Sequence, residues 1–242
     1  MISKMEKSFS VPLSLCDNEA RLSIPSMFTL FMDIATQHAN ELKLSSKDIG
    51  ENMFWLAVKT KLRIFARPEM SSMVTLSTWP EKPARIRANR NYTISDESGL
   101  LVCGKTEWAV IDTSCGKLQR LSDIYGEDFE YCEEQSVEEP YARVSDNFDD
   151  AEILGEYTVK STDIDLGQHM NNSAYIRAFV SMFSCDELKA MDIKEIDIAY
   201  KAQSFEGETL TLKKREDDGF IDYAMLKSDN TVCATLRVVC GC

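Results

Sequence analysis

Tyr92-Thr-Ile-Ser-Asp-Glu-Ser-Gly-Leu-Leu-Val-Cys103 returns in the second half of the chain as Tyr223-Ala-Met-Leu-Lys-Ser-Asp-Asn-Thr-Val-Cys233. In each copy two apolar or alternating runs flank a short polar turn, which is typical of a β-hairpin. An earlier segment also matches, since Met73-Val-Thr-Leu-Ser lines up with Thr209-Leu-Thr-Leu-Lys. Short strands can resemble each other by chance, but the same order of elements in both halves favours a repeat. The sequence therefore predicts two modules of one fold.

A helix is expected near the start of each module. In the first module, apolar residues recur at helical spacing over about 26 to 43, with Ser26 as the N-cap. In the second module, the same pattern follows Asn172 in the residues Tyr175, Ile176, Phe179, Met182 and Phe183. Each predicted helix has one apolar face, so each is expected to pack against a sheet.

Alternating or apolar runs predict the strands of both modules. These runs cover 54 to 66, 72 to 80, 87 to 97, 100 to 112, 195 to 203, 208 to 214, 220 to 228 and 231 to 239. A long antiparallel sheet wrapped around one central helix, formed twice, buries one face of each element. The predicted fold class is therefore α+β.

An acidic stretch separates the two modules. Between Gly126 and Asp150, ten acidic residues stand against the single basic residue Arg143, without a periodic apolar pattern. This composition predicts an N-terminal module at 1–130, an acidic linker at 131–152 and a C-terminal module at 153–242. A solvated acidic helix attached to the first module is the alternative for the linker.

Composition and charge restrict the partners and the compartment. The net charge of -13 argues against binding to nucleic acid, which requires Lys and Arg to replace counterions on the phosphate backbone. No run reaches the roughly 20 apolar residues of a membrane span, and the start of the chain has no apolar leader pattern. We therefore expect a cytoplasmic protein without membrane contact.

The cysteines suggest neither disulfides nor a metal site. The chain has 8 cysteines, which are scattered, and several lie in apolar strand-like runs where a free thiol packs as a small hydrophobe. Cys240 and Cys242 have a spacing that can bind a metal, but no second Cys or His pair accompanies them. We expect no metal and no cofactor.

The segment Asp165-Leu-Gly-Gln-His169-Met-Asn171-Asn172 contains the strongest candidate site. An aspartate four residues before a histidine can hold the imidazole in one tautomer, and an imidazole titrates near neutral pH. A helix is predicted to begin directly afterwards, and its first free N–H groups can stabilise developing negative charge. This combination suits hydrolysis of an acyl group by water.

Over nearly its whole length the chain resembles the acyl-acyl carrier protein thioesterases, which have two hotdog folds in tandem. The similar blocks in the first half are Gln37-His38-Ala39, Phe54-Trp55-Leu-Ala-Val-Lys-Thr-Lys-Leu-Arg-Ile, Val74-Thr-Leu-Ser-Thr-Trp79-Pro80 and Lys105-Thr-Glu-Trp108-Ala-Val-Ile-Asp112. In the second half the family's Asp, Asn, His and Asn-pair pattern falls on Asp165, Gly167, His169, Asn171 and Asn172. The resemblance implies a hydrolase that releases fatty acid from acyl carrier protein.

Two positions depart from the family pattern. Gly167 stands where the family usually has Asn, and Gln203 stands where it usually has a catalytic Glu. Glutamine has the shape of glutamate but cannot accept a proton at neutral pH. Glu206 is an alternative source of the carboxylate, although its position before Gly207 is more typical of a turn. We favour Gln203 in the site, holding water or substrate.

The resemblance assigns roles to the remaining residues. His169 is the expected base, Asp165 orients it, and Gln203 completes the catalytic set. Backbone N–H groups near Asn171 to Ser173 are expected to form the oxyanion hole. The expected substrate-binding residues are Gly167, Asn171, Asn172, Ser204, Phe28 and Trp55, with the acyl-chain pocket in the N-terminal module. His38 is expected to have a structural role or to line the pocket.

Nucleophilic catalysis is less consistent with the sequence. The chain has no Gly-x-Ser-x-Gly motif, and Ser204 stands where some family members have cysteine, so we expect no acyl-enzyme. The competing hypotheses are an acyl-CoA thioesterase and a non-catalytic acyl-thioester-binding protein. Dehydratases also use hotdog folds, so the fold alone does not define the reaction.

The implied partner is acyl carrier protein carrying a phosphopantetheine-linked acyl chain, and the implied state is a monomer or homodimer. Because such a carrier is acidic, docking requires a basic strip on this acidic chain. The candidates are Lys82, Arg85, Arg87, Arg90, Lys59, Lys61, Arg63, Lys213, Lys214 and Arg215. A solvated strand face is the alternative interpretation of these residues.

Overall fold

The computed structural model describes residues 3–126 and 128–241. The chain divides into two compact units, the first ending at Glu139 and the second beginning at Pro140. This division falls inside the predicted linker at 131–152. Residues 131–151 contain neither helix nor strand, so the linker is extended chain and the alternative of an acidic helix is wrong.

The first unit combines one long helix with an antiparallel sheet. Its elements are β1 (Met5–Ser10), α1 (Ile24–Glu41), β2 (Met53–Ile64), β3 (Met73–Pro80), β4 (Ala88–Asp96), β5 (Gly99–Asp112) and β6 (Lys117–Leu118). The strands are hydrogen-bonded in the order β1-β3-β4-β5-β2, and β6 pairs with β5. Short 3-10 turns lie at Leu13–Leu15 and Leu121–Asp123.

The second unit has the same arrangement. Its elements are β7 (Glu152–Thr158), α2 (Asn172–Val180), α3 (Cys185–Met191), β8 (Ile193–Tyr200), β9 (Thr209–Asp217), β10 (Phe220–Leu226) and β11 (Val232–Cys240), with a 3-10 turn at Ser161–Asp163. The strand order β7-β9-β10-β11-β8 repeats that of the first unit, position by position. The predicted repeat of one antiparallel fold therefore describes both units.

The strand register aligns the two hairpins that suggested the repeat. Tyr92 lies opposite Gly104, and Tyr223 lies opposite Leu236 on the corresponding strand. The two tyrosines are thus equivalent, but the two cysteines are not. Cys103 is paired within the ladder, whereas Cys233 occupies a β-bulge of the kind that Leu101 occupies in the first unit. The sequence alignment missed this because the second hairpin is shorter.

Helix α1 starts earlier than predicted. Its N-cap is Ser23, whose side chain accepts the N–H of Ser26 at 3.3 Å, so Ser26 lies in the first turn and is not the cap. Pro25 fits the first turn because the missing N–H of proline has no intrahelical acceptor there. The apolar face still points inward, and Phe28, Phe31 and Ile34 are almost fully buried.

The second helix is shorter than its apolar pattern suggests. Helix α2 ends at Val180, and α3 begins after Ser184, which forms a capping box with Glu187. Phe183 lies in the break, yet its ring still contacts Phe179 at 5.3 Å between centroids. The apolar periodicity indicates which side chains pack together, and this packing continues across the break between α2 and α3.

Helices α1 and α2 each contact their sheet through an aromatic pair. Phe31 of α1 stacks on Tyr92 with 4.4 Å between ring centroids, and Phe179 of α2 meets Tyr223 edge-on at 4.8 Å. The stacked geometry in the first unit requires Gly104, because a Cβ there would lie 2.7 Å from the Phe31 ring. In the second unit Leu236 holds this register position, and the aromatic pair meets edge-on instead of stacking.

We predict that Gly104→Ala destabilises the protein by about 1–3 kcal/mol, because overpacking a well-filled core has costs of this size. The new methyl group would also lie 2.6 Å from the Lys61 carbonyl oxygen, which is backbone and cannot rotate away. Gly126→Ala is the matched control, since a Cβ there meets nothing within 4 Å. Urea unfolding of both variants provides the measurement, and equal midpoints would contradict the prediction.

The linker is held against each unit by side chains of the sheet. In the first unit Trp79 Nε1 donates to the Glu134 carbonyl at 2.7 Å, and Lys105 Nζ donates to the Val137 carbonyl at 2.9 Å. In the second unit the Ala142 N–H donates to Asp197 at 2.6 Å. The linker is therefore part of both packed units.

Candidate active site

The predicted site segment forms a tight loop that ends at the N-terminus of α2. The N–H of Asp165 donates to the His169 carbonyl at 3.0 Å, and the N–H of Gln168 donates to the Asp165 carbonyl at 3.0 Å. Gln168 takes the left-handed conformation, with φ of 62°. These bonds close the loop so that Asp165 and His169 face each other across it.

Asp165 and His169 are close but are not directly hydrogen-bonded. Asp165 Oδ1 lies 3.7 Å from His169 Nδ1, and the two side chains are 26% and 16% exposed. The same Oδ1 accepts the N–H of Gly167 at 2.7 Å. The aspartate therefore has a structural role in the loop besides its electrostatic contact with the imidazole.

Gly167 makes room for the imidazole. A Cβ at this position would lie 2.8 Å from His169 Nε2 and 3.0 Å from Asp165 Oδ1. The ring thus occupies the space that any larger residue at 167 would need. The position of the histidine ring therefore depends on the absence of a side chain at position 167.

The helix N-terminus after the loop offers one free donor. Asn171 is the N-cap of α2, and its side chain accepts the Ser173 N–H at 2.8 Å. The Asn171 N–H donates to the Asp163 carbonyl at 2.8 Å. Within the described residues, the N–H of Asn172 has no acceptor. Of the three donors expected near 171 to 173, the structure leaves Asn172 for an oxyanion.

The segment after β8 lies beside the loop. The N–H of Met170 donates to the Ser204 carbonyl at 2.7 Å. His169 and Gln203 directly precede these two residues, so the hydrogen bond places them on adjacent backbone segments. Gln203 is exposed, and its side chain makes no hydrogen bond in the part of the chain that the structure describes. Glu206 is also exposed and lies in a turn with Gly207, whose φ is 82°.

Ser204 is fully buried and accepts a hydrogen bond from the Tyr175 hydroxyl at 3.1 Å. Burial raises the pKa of Tyr175 to about 12, so this hydroxyl stays protonated and remains a donor at neutral pH. The hydrogen bond fixes the segment after β8 to helix α2. Ser204 thus has a structural role in this unit, while its contact with substrate stays a prediction.

Asp163 is a site residue that the sequence reasoning missed. It is 3% exposed, and it accepts hydrogen bonds from the Tyr157 hydroxyl at 2.8 Å and from Arg177 at 3.3 Å. Its carbonyl also anchors the N-cap Asn171. Burial and the neighbouring carboxylate raise the pKa of Tyr157 to about 12. Asp163 thus positions the start of α2. In the sequence, the feature that could have indicated this role is a second aspartate beside the motif.

The first unit contains a counterpart of this loop without a histidine. Asp17 and Arg21 make the same backbone bond as Asp165 and His169, with Asp17 N–H donating to the Arg21 carbonyl at 2.9 Å. Asp17 is paired with Arg67, which follows β2. The loop geometry therefore belongs to the fold, and the imidazole distinguishes the second copy.

The two aromatic residues predicted to bind substrate lie in the first unit. Phe28 is 1% exposed on α1. Trp55 donates its indole N–H to the Leu44 carbonyl at 2.8 Å and meets Trp108 and Tyr125 edge-on. Both side chains belong to the core of that unit, and their contact with an acyl chain stays a prediction.

His38 is buried on α1 and is 3% exposed. Its Nδ1 accepts a hydrogen bond from Arg90 at 2.9 Å. Burial and then the charge of Arg90 lower the pKa of His38 to about 4. A guanidinium can only donate, so the proton of the neutral imidazole is on Nε2.

Two of the basic residues proposed for a docking strip do not lie on the surface. Arg90 and Lys61 are buried, at 7% and 4% exposure, which is a correction to the prediction. Arg87 is paired with Glu107, and Lys214 with Glu152. Strand alternation explains the failure, because alternate residues on a strand face the core. Lys82 and Arg85 are exposed.

No helix within 3–126 or 128–241 combines the length and apolarity that a membrane crossing requires. The described cysteines are free thiols, and Cys242 of the Cys240 pair lies outside the described residues.

Comparison with family sequence models identifies the chain. The acyl-ACP thioesterase N-terminal domain matches residues 3–129, and the acyl-ACP thioesterase C-terminal domain matches residues 147–236. These matches cover most of the sequence. The chain belongs to the acyl-ACP thioesterase family.

Curated relatives are distant in sequence. Oleoyl-acyl carrier protein thioesterase, chloroplastic, of Coriandrum sativum is 21% identical over 200 residues, which are 75% of this chain and 54% of the relative. Oleoyl-acyl carrier protein thioesterase 1, chloroplastic, of Arabidopsis thaliana is 19% identical over 199 residues, covering 75% and 55%. The chain spans about half the length of these relatives.

Solved structures confirm the predicted fold. An acyl-ACP thioesterase from Bacteroides thetaiotaomicron superposes with a TM-score of 0.86 at 21% identity, covering 98% of this chain and 97% of that chain. The 12:0-ACP thioesterase from Umbellularia californica gives a TM-score of 0.83 at 14% identity, covering 98% and 96%. The fold is the tandem hotdog architecture.

We predict that Gly167→Ala and Gly167→Asn displace the His169 ring toward solvent. Diethylpyrocarbonate modifies accessible imidazoles, and because His38 is buried the signal reports on His169. The carbethoxylation rate should rise severalfold in both variants and stay unchanged in the Gly126→Ala control. An unchanged rate in both Gly167 variants would show that the ring does not depend on the missing side chain.

We also predict a pH effect from His38. Its folded pKa of about 4 lies below the usual 6.5, so between these values the unfolded chain binds a proton that the folded chain does not. Stability is therefore lost as the pH falls from about 6.5 towards 4, by about 2 to 3 kcal/mol. His38→Gln keeps an acceptor for Arg90 but cannot titrate. Urea unfolding from pH 7 to 4 should show a shallower loss in this variant, and parallel curves would refute the assignment.

Proposed function

We propose that the protein hydrolyses the thioester of acyl-acyl carrier protein and releases a free fatty acid in fatty acid biosynthesis in the cytoplasm. The observation that carries this proposal is the placement of His169 beside Asp165 and directly before the N-terminus of α2. Membership of the acyl-ACP thioesterase family supports the substrate class. The acyl-chain pocket is proposed in the N-terminal module and the chemistry in the C-terminal module.

His169 acts as the general base in this proposal. Nδ1 faces the Asp165 carboxylate and carries the proton, which leaves Nε2 free to accept one. A water molecule gives its proton to Nε2 as its oxygen bonds to the thioester carbonyl carbon. The His169 side chain is 16% exposed, so water can reach the imidazole.

The tetrahedral intermediate carries a negative oxygen that needs donors. The N–H of Asn172 lacks an acceptor within the described residues and lies at the positive end of α2. We assign it to the oxyanion hole, with the exposed amide of Gln203 as a second donor to oxyanion or water. Asn171 acts by capping the helix that presents this donor.

The intermediate collapses by breaking the carbon–sulfur bond. The sulfur leaves with the electron pair and takes the proton from His169 Nε2, which yields the carboxylic acid and the free thiol of the carrier. A thiol with a pKa of about 8.5 leaves readily, so a second carboxylate is not required. This argument accommodates Gln203 where the family usually has Glu.

The proposal is tested with acyl carrier protein thioesters of 8 to 18 carbons and with the matching coenzyme A thioesters. Thiol release is measured for wild type, His169→Ala, Asp165→Asn, Gln203→Glu and Glu206→Gln. We expect kcat to fall at least about 100-fold for His169→Ala, since general-base catalysis contributes about that much or more. Glu206→Gln is the control and should stay within about twofold, because Glu206 is exposed in a turn.

Three results would change the proposal. If His169→Ala hydrolyses the thioester as fast as wild type, His169 is not the general base. Faster release from coenzyme A than from carrier protein would make the protein an acyl-CoA thioesterase. Binding of acyl carrier protein without thiol release from pH 6 to 9 would favour a non-catalytic acyl-binding protein, a reading that the missing carboxylate at Gln203 also supports.

A further inference from the structure

A closed set of hydrogen bonds surrounds the first turn of α2. The Asp163 carboxylate accepts a hydrogen bond from Arg177 at 3.3 Å, and Arg177 NH1 donates to the Ser173 hydroxyl at 3.1 Å. That hydroxyl donates to Asn171 Oδ1 at 2.8 Å, and the Asn171 N–H donates back to the Asp163 carbonyl at 2.8 Å. We call these four residues the Asp163 network. It ties both neighbours of Asn172 to one aspartate.

The aspartate of this network is itself firmly held. Its side chain is 3% exposed and accepts hydrogen bonds from the Tyr157 hydroxyl on β7 at 2.8 Å and from the Lys160 N–H at 3.0 Å. A buried carboxylate is costly unless it is paired and hydrogen-bonded, and Arg177 supplies the positive charge. The network thus connects the start of α2 to the strand β7 of the same unit.

The first unit has the same backbone arrangement at this place. The Ser23 N–H donates to the Leu15 carbonyl at 2.9 Å, just as the Asn171 N–H donates to the Asp163 carbonyl. Both donors are N-caps of the central helix of their unit. Leu15 therefore holds the position of Asp163, and in the first unit this position carries no charge.

The partners of the aspartate are replaced as well. The strand registers align Phe9 of β1 with Tyr157 of β7, so the hydroxyl is missing from the first unit. The sixth residue after the N-cap is Thr29 in α1 and Arg177 in α2. The fold therefore begins its central helix without this network in one copy. The network occurs in the copy that contains the candidate active site.

The network acts on the group that the proposed mechanism uses as an oxyanion donor. Catalytic donors are effective when they are already held in the direction where negative charge develops. The N–H of Asn172 belongs to the peptide unit between residues 171 and 172, and residue 173 fixes the other side of Asn172. Since Asn171 and Ser173 are both restrained by the network, the direction of this N–H is restrained too.

We propose that Arg177 and Asp163 are positioning residues for thioester hydrolysis, which hold Asn171 and Ser173 so that the Asn172 N–H is directed at the oxyanion. This inference rests on the proposed function, which assigns that N–H to the oxyanion hole. Because an oxyanion exists only after water has attacked, the restraint lowers the barrier without changing the binding of the thioester. Its loss is expected in kcat and not in KM.

The first test is steady-state kinetics with the carrier-protein thioester that wild type hydrolyses fastest. We expect Arg177→Met to lower kcat about 10- to 100-fold, less than deletion of an oxyanion donor, with KM within about twofold. Arg177→Lys keeps the charge but lacks the fork that reaches Asp163 and Ser173 together, so it should recover part of the loss. Lys194→Met is the matched control, because it removes an exposed ion pair with Asp192 in the same unit.

The second test measures binding and does not need turnover. Two acyl-pantetheine analogues are compared, one with a difluoromethylene group in place of the sulfur and one with a methylene in place of the carbonyl. The hydrated fluoroketone resembles the tetrahedral intermediate, whereas the thioether has no oxygen at this position. We expect Arg177→Met to weaken fluoroketone binding about tenfold or more and to leave thioether binding within about twofold.

A combined variant separates positioning from stability. Tyr157→Phe, Asp163→Leu and Arg177→Thr together install the residues of the first unit, so no buried charge is left unpaired. We expect this variant to unfold cooperatively and to show the same selective loss of kcat and of fluoroketone binding as Arg177→Met.

The inference is overturned if Arg177→Met keeps kcat within about twofold of wild type, or if the two analogues lose affinity equally. Failure of Arg177→Met to fold would also overturn it, since the arginine would then be a structural element. If wild type releases no thiol from any thioester, the proposed function fails by itself. A selective loss of fluoroketone binding in Arg177→Met would still support the positioning role in that case.

Discussion

In each unit, one backbone hydrogen bond fixes where the central helix begins. The Leu22 N–H donates to the Pro68 carbonyl at 2.8 Å, and the Met170 N–H donates to the Ser204 carbonyl at 2.7 Å. Each donor directly precedes a helix N-cap, and each acceptor lies shortly after the strand that follows the helix. The bond therefore ties the loop before the helix to the end of the sheet. In the second unit the same bond brings His169 and Gln203 onto adjacent backbone segments.

The two copies of the fold show which features are structural and which are specific. The aspartate that closes the loop is present in both, as Asp17 and Asp165, so it cannot by itself indicate catalysis. The residue four positions later differs, being Arg21 in one copy and His169 in the other. One face of the sheet also differs between the copies. Arg90, Thr106 and Thr60 lie opposite one another across the first sheet, and the apolar residues Ile221, Val238 and Ile196 hold the corresponding positions in the second. The shared backbone therefore does not determine which copy carries polar side chains at these positions.

Strand positions were predictable from sequence because alternation along a strand directly reflects one buried face. The predicted strand at 72 to 80, for example, corresponds to Met73–Pro80. The helix ends were less predictable, since Ser23 and Ser26 are both good caps, and the structure uses Ser23, which places Pro25 in the first turn. The loop around His169 was predicted from its motif, but not the role of Asp163, whose partners Tyr157 and Arg177 lie on separate elements.

The inward direction of Arg90 also could not be predicted from composition. A strand sequence gives two faces without saying which is buried, and a basic residue is normally assigned to the solvent face.

Gly167 and Gln203 stand where the resemblance implies Asn and Glu, and neither residue carries a charge. With Gln203 neutral, Asp165 is the carboxylate in ion-pair range of His169 among the described residues. The Oδ1 atom of that carboxylate also accepts the Gly167 N–H. Gly167 in turn allows the ring to lie close over the backbone, where a side chain would displace it. The imidazole is therefore positioned mainly by the backbone of the loop from Asp165 to His169.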